Sequence, residues 1–171
     1  HRRERGPVRA RLASVVALAT LALAACGFTP MYATDGLSPG LSAIQVAVPH
    51  GRLAYLLGES LNDQLAHDRD KPAIYRLDVT VESRVFARGL NLDETAAYYE
   101  DNLTVDYRLV DIATGQVLKT NSLPVEVTYA ATNVPFAGIA AQEDAQQRAA
   151  NEAAQRIRTD LGIYFATMAR K

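Results

Sequence analysis

The sequence predicts an α+β domain, a two-layer sandwich of order β-α-β-β-β-α with two helices packed on one face of a four-stranded mixed sheet. Three observations lead there. Residues 74–88, 97–110 and 117–129 alternate apolar and polar side chains with a period of two, the mark of strands with one face on a core and one in water. Residues 51–67 and 137–168 carry apolar stripes at helical spacing. A short β-branched segment at 42–48 precedes the first helix and supplies a fourth strand.

The chain opens on a different kind of segment. Arg2, Arg3, Arg5, Arg9 and Arg11 form a basic region, and an apolar run over 12–23 follows. Then come Leu23-Ala24-Ala25-Cys26 and Gly27. Charge, a short apolar run, small residues and a cleavage point make a secretory signal. The run is too short to span a bilayer, which takes roughly 18–20 apolar residues. The small-residue stretch closing on the only cysteine resembles a bacterial lipobox. That resemblance implies that Cys26 is acylated, with a diacylglycerol and an N-acyl chain, and becomes the first mature residue. An ordinary cleaved signal is the competing reading. Removing residues 1–25 leaves 146 residues, with 13 basic and 18 acidic side chains and a net charge of −5. Such a chain is long enough for one cored domain, and its acidity argues against general nucleic-acid binding. With Cys26 acylated, no thiol remains for a disulfide.

Residues 26–40 hold Pro30, Gly36, Pro39 and Gly40 and read as a lipidated linker. Phe28, Met31 and Tyr32 within it either dock on the domain or sit at the lipid interface. In 42–48, Ile44, Val46 and Val48 share one side and Pro49 ends the strand. The first helix places Leu53, Leu56, Leu57, Leu61 and Leu65 on one face. Asp68, Arg69, Asp70, Lys71 and Pro72 stop it. The second strand directs Tyr75, Leu77, Val79, Val81, Val85 and Ala87 inward, broken only by Ser83, and Arg76, Asp78, Thr80, Glu82, Arg84, Phe86 and Arg88 outward. Leu103, Val105, Tyr107 and Leu109 are the inward set of the third strand, and Leu123, Val125, Val127 and Tyr129 that of the fourth. A turn at 111–116 joins these two, with Gly115 at its positive φ. Pro124 cannot donate to a ladder, so the fourth strand is an edge or carries a bulge. The last helix has the stripe Ala141, Ala145, Ala149, Ala153, Ile157, Leu161 and Phe165. Its small first half lets it approach the sheet closely, and its larger second half fills the diverging end.

Chemistry-bearing motifs are few. The sequence holds no G-x-S-x-G, H-E-x-x-H, P-loop or G-x-G-x-x-G pattern. His50 and His67 lie at opposite ends of the first helix, and the adjacent Asp93 and Glu94 belong to a polar loop. No catalytic or metal-binding constellation is expected, and no cofactor beyond the acyl chains. Three features suit binding instead. Arg76, Arg84 and Arg88 share an outward face with Phe86, a pattern that can meet phosphates and acyl chains. The alternating Asp78 and Glu82 favour an ordinary solvated strand over such a site. Tyr98 and Tyr99 cluster at a strand start, as packing or as recognition. Pro135 and Phe136 precede the last helix, where Phe136 is either a hydrophobic staple or an exposed partner anchor.

Taken together, Cys26-Gly27-Phe28 with Pro30-Met31-Tyr32 close behind resemble the lipopolysaccharide-assembly lipoproteins of the LptE family. Pro135-Phe136-Ala137, Ala140-Ala141, Glu143-Asp144-Ala145 and Arg148, with the Ala-rich helix to Leu161, look like its alphaproteobacterial branch. The resemblance covers residues 26 to about 168 and implies an LptE-like domain over 41–171. It implies a non-enzymatic lipoprotein of the outer membrane's periplasmic leaflet that plugs the β-barrel LptD, helps it assemble and aids delivery of lipopolysaccharide. Gly27 after Cys26 is similar to lipoproteins released to the outer membrane. Enterobacterial members carry basic residues associated with lipopolysaccharide where this chain has Leu90-Asn91-Leu92-Asp93 and Ala140-Ala141, so Arg84, Arg88 and Arg76 stand in as the candidate contacts. Pro135, Phe136, Tyr98 and Tyr99 are the candidate partner contacts. An auxiliary lipoprotein of an ABC-type lipid transporter is the alternative.

Overall fold

The computed structural model describes residues 37–67, 70–90 and 96–170. In chain order the elements are α1 (Leu37–Ser42), β1 (Ile44–Ala47), α2 (Arg52–Leu65), β2 (Tyr75–Leu90), β3 (Ala96–Asp111), β4 (Val117–Ala130) and α3 (Pro135–Met168). One sheet of order β1-β2-β3-β4 results, with β1 parallel to β2 and the other pairs antiparallel. This is the mixed, two-layer α+β arrangement that the alternation and stripes predict. Pro124 does lie on an edge strand, because β4 is outermost. Gly115 adopts φ 71°, and its N–H donates to the Asp111 carbonyl at 2.8 Å to close the turn.

The core lies between one sheet face and the helices. Leu77, Val79, Leu103, Val105, Tyr107, Leu109, Val125 and Val127 supply the sheet side. Leu57, Leu61 and Leu65 of α2 cover it, as do Ala145, Ala149, Ala153, Ile157, Leu161 and Phe165 of α3. Ala150 and Ala154 are also buried, so the small-residue face of α3 is wider than a single row. Two cross-links fix the helix layer. Arg52 of α2 pairs with Glu143 of α3 at 2.8 Å, and Ser60 Oγ donates to Asn151 Oδ1 at 2.8 Å.

The structure differs from the sequence reading at the start of the domain. Where residues 26–40 read as linker, α1 begins at Leu37. Pro39 is tolerated there because it lies in a first turn, where N–H groups have no helical partner. Gly40 is needed for space, since a Cβ at that position would meet the Phe165 ring at 3.1 Å. This contact seats α1 against the C-terminal end of α3. Residue 66 ends α2 in a left-handed conformation, φ 50°, with its N–H donating to the Asn62 carbonyl at 3.0 Å. The signal segment, Cys26, Phe28, Met31, Tyr32, Asp93 and Glu94 lie outside the described residues.

Candidate interaction surface

Among the described residues no helix covers the other face of the β2–β4 meander. Its alternate residues, among them Arg76, Thr80, Glu82, Arg84, Asp106 and Arg108, are exposed. Two charge clusters organise it. Arg76 donates to both oxygens of Asp78, Nε to Oδ1 at 2.7 Å and Nη2 to Oδ2 at 3.1 Å. Arg108, directly opposite Asp78 on β3, approaches the same carboxylate at 3.4 Å. Further along, Arg88 forms a two-pronged pair with Glu100 at 3.0 Å per bond, and Asn102 Nδ2 donates to Glu100 at 2.9 Å. These bonds, from Arg88 first and Asn102 second, hold the Glu100 carboxyl below its usual range. The Arg88 guanidinium also lies 5.2 Å from the Phe86 ring centroid. A shallow trough beside the first cluster is lined by Asp78, Thr80, Asp106, Arg108, Thr120 and Ser122.

Strand geometry thus unites Arg76, Arg84 and Arg88 on one face but gives two of them carboxylates of their own. Arg84, exposed and opposite Asn102, has none among the described residues. Tyr98 and Tyr99 are separated by the same alternation. Tyr98 stands on the outer face opposite Arg88 and is 42 % exposed. Tyr99 stacks on Tyr129 of the helix-side face, with centroids 5.3 Å apart. Phe136 is 86 % exposed at the start of α3, flanked by exposed Val134 and Ile139. Phe136 is therefore exposed and does not form a staple. Pro135 is the first residue of the helix, where its missing N–H costs no bond.

The helix-side face holds polar groups that the sequence reading did not single out. Asp101 is 1 % exposed and accepts from Ser83 Oγ at 2.6 Å. Near the opposite end, Asp160 of α3 accepts from the Tyr107 hydroxyl, from Lys119 Nζ at 3.1 Å and from Asn121 Nδ2 at 3.2 Å. Burial and the bond to Asp160 push the Tyr107 phenol upward. Burial alone would raise the Asp160 carboxyl, but the donors prevail and hold it below its ordinary value. His67 Nδ1 lies 3.0 Å from the Ser42 carbonyl, which ties the end of α2 to α1. Among the described residues no helix is long and apolar enough to cross a membrane, and no group of three or more His, Cys, Asp or Glu is placed to hold a metal.

Layers and strand order together define a class: α+β domains with the described helices on one side of a four-stranded mixed sheet. The sequence profile of the LptE family, described as lipopolysaccharide-assembly, matches residues 41–161. A crystal structure of a protein from Caulobacter crescentus CB15 described as a lipoprotein is 42 % identical, with 78 % of this chain and 98 % of that one covered and a TM-score of 0.69. Rare lipoprotein B from Shewanella oneidensis shares the fold at 15 % identity, with 74 % and 96 % covered and a TM-score of 0.55. Lipoprotein B from Nitrosomonas europaea does so at 14 % identity, with 72 % and 83 % covered and a TM-score of 0.55. No match was found among curated proteins. The chain belongs to the LptE family, the family of lipopolysaccharide assembly.

Proposed function

We propose that this protein is anchored through Cys26 in the periplasmic leaflet of the outer membrane. There it binds and plugs the β-barrel LptD, assists its assembly and aids passage of lipopolysaccharide to the outer leaflet, without catalysis of its own. The observation that carries this reading is the bare sheet face. Lumens of large outer-membrane barrels are polar. A plug must enter one without leaving buried charge uncompensated, because an unpaired charge taken out of water is costly. Here three of the arginines arrive paired, Arg76 and Arg108 with Asp78 and Arg88 with Glu100, while Glu82, Arg84 and Asp106 have no ion-pair partner among the described residues. The exposed Val134, Phe136 and Ile139 then supply the aromatic and aliphatic anchors that carry binding energy in protein interfaces. Direct contact of Arg76 and Arg88 with lipopolysaccharide is not required by this reading, since those guanidinium groups are engaged within the sheet.

Depletion in the native bacterium tests it. Loss of the protein is expected to lower both the amount of correctly assembled LptD in the outer membrane and the lipopolysaccharide at the cell surface. Unchanged surface lipopolysaccharide on full depletion would contradict the reading.

A further inference from the structure

The two long edges of the sheet are treated differently. Along an antiparallel pair, backbone groups point alternately toward one neighbour and the other. The N–H of Ala131 donates to the carbonyl of Ala97, so odd-numbered residues of β3 face β4 and even-numbered ones face β2. By the observed registers, even-numbered residues of β4 and odd-numbered residues of β2 then direct their N–H and C=O groups outward. On β4 that edge is covered at three positions. Ser122 N–H donates to Asn121 Oδ1 at 2.9 Å. Pro124 has no N–H, and its carbonyl accepts from Arg156 Nη1 at 2.8 Å. The Thr128 carbonyl accepts from Arg148 Nη2 at 3.1 Å. A capping proline and arginines borrowed from α3 are what blunts an edge against further pairing.

The edge of β2 has no such cover. β1 pairs only with residues 75–78. Beyond it, the outward groups of Val81, Ser83, Val85 and Ala87 meet no hydrogen-bond partner among the described residues. Val85 and Phe86 are 45 % and 41 % exposed there. On the same stretch stands Arg84, the arginine without a carboxylate. Being even-numbered, it occupies a position where an added antiparallel strand makes no backbone bond and side chains lie closest.

A second copy of the chain fits this edge poorly. A two-fold centred on residue 84 sets arginine against arginine. One centred on Val85 sets Arg84 against Phe86 and gives it no acid. One centred on Ser83 does bring Glu82 to Arg84, but it drives the incoming Arg88 onto Asp78, whose edge Ala47 already occupies. A strand of different sequence is required.

We propose that the β2 edge over residues 81–87 is completed by an added strand from the barrel partner, an extended segment with a carboxylate facing Arg84 and small or apolar residues flanking Ser83 and Val85. This rests on the barrel reading given above. The wall of a closed barrel has no free edge to offer. The segment therefore comes from a loop or a terminus, and main-chain bonds hold it while Arg84 selects it.

The test uses the full-length lipidated protein in outer membranes, capturing the barrel with wild type, Val85→Pro and Arg84→Glu. Proline at 85 removes one outward N–H and leaves the β2–β3 ladder, whose bonds fall at even positions, intact. Arg84→Glu alters a surface charge only and guards against misfolding of the proline variant. Each substitution is expected to lower barrel recovery about tenfold or more. A photo-reactive benzoylphenylalanine replacing Val85 is expected to cross-link to the barrel protein. Full recovery with both variants would overturn the added strand while wild-type capture left the barrel reading standing. Cross-linking at 85 to a second copy would overturn it as well. No barrel with wild type would instead remove the reading on which the strand depends.

Discussion

Asp160 joins three elements through single side chains: Tyr107 from β3, Lys119 and Asn121 from β4, and itself from α3. Its pKa is lower in the fold than the 3.8 of a free aspartate, despite partial burial, because those donors favour the charged form. A depressed carboxylate stabilises the fold fully above the unfolded pKa and loses that contribution as pH falls through the folded one. Asp160→Asn is accordingly expected to be less stable than wild type at pH 7 in urea unfolding. The gap should close as the pH drops below about 4, and a gap undiminished in strong acid would contradict this role. Asp101 is fully buried and is satisfied by Ser83 diagonally across the β2–β3 ladder. Both members were visible in the alternation, Ser83 as a break in an apolar face and Asp101 at the inward parity of Tyr99 and Leu103. Only the strand register showed that the two irregularities answer each other. The partners of Asp160 carry no comparable signal, since a contact 53 residues apart in the chain leaves no periodicity.

At the scale of elements, α3 does the most to hold the layers together. At 34 residues it is about 51 Å long, and alanines at 145, 149, 150, 153 and 154 are buried along it. Small side chains set the helix-to-sheet distance, so Ala149→Leu must push the layers apart or strain its own rotamer. A loss of about 1–3 kcal/mol in urea unfolding is expected, and no loss would mean that the helix is free to shift outward. The strands and the two long helices were legible because their burial patterns have simple periods, two and 3.6. The short α1 was not, because Pro39 and Gly40 signal a loop locally and only the Phe165 ring makes a glycine helix turn worthwhile there. Phe136 was ambiguous for a similar reason. A staple and an exposed aromatic share one sequence, and only the fold shows that Phe136 stands in solvent. The unequal edges of the sheet were half legible: Pro124 marked β4 as an edge, but nothing in the sequence places Arg148 and Arg156 over its carbonyls.

At the scale of the whole molecule, the described residues present a bare sheet face whose arginines are mostly paired, an open strand edge and an apolar helix entrance, features suited to enclosure by a polar partner. The family assignment makes the protein part of lipopolysaccharide assembly, and the proposed barrel partner would supply such an enclosure. The most direct measurement is affinity capture of the lipidated protein from detergent-solubilised outer membranes, with the partner and its stoichiometry determined by mass. One large β-barrel protein per copy is the result expected. Recovery of inner-membrane transporter subunits with no barrel would contradict the account and point to an auxiliary lipoprotein of a lipid transporter.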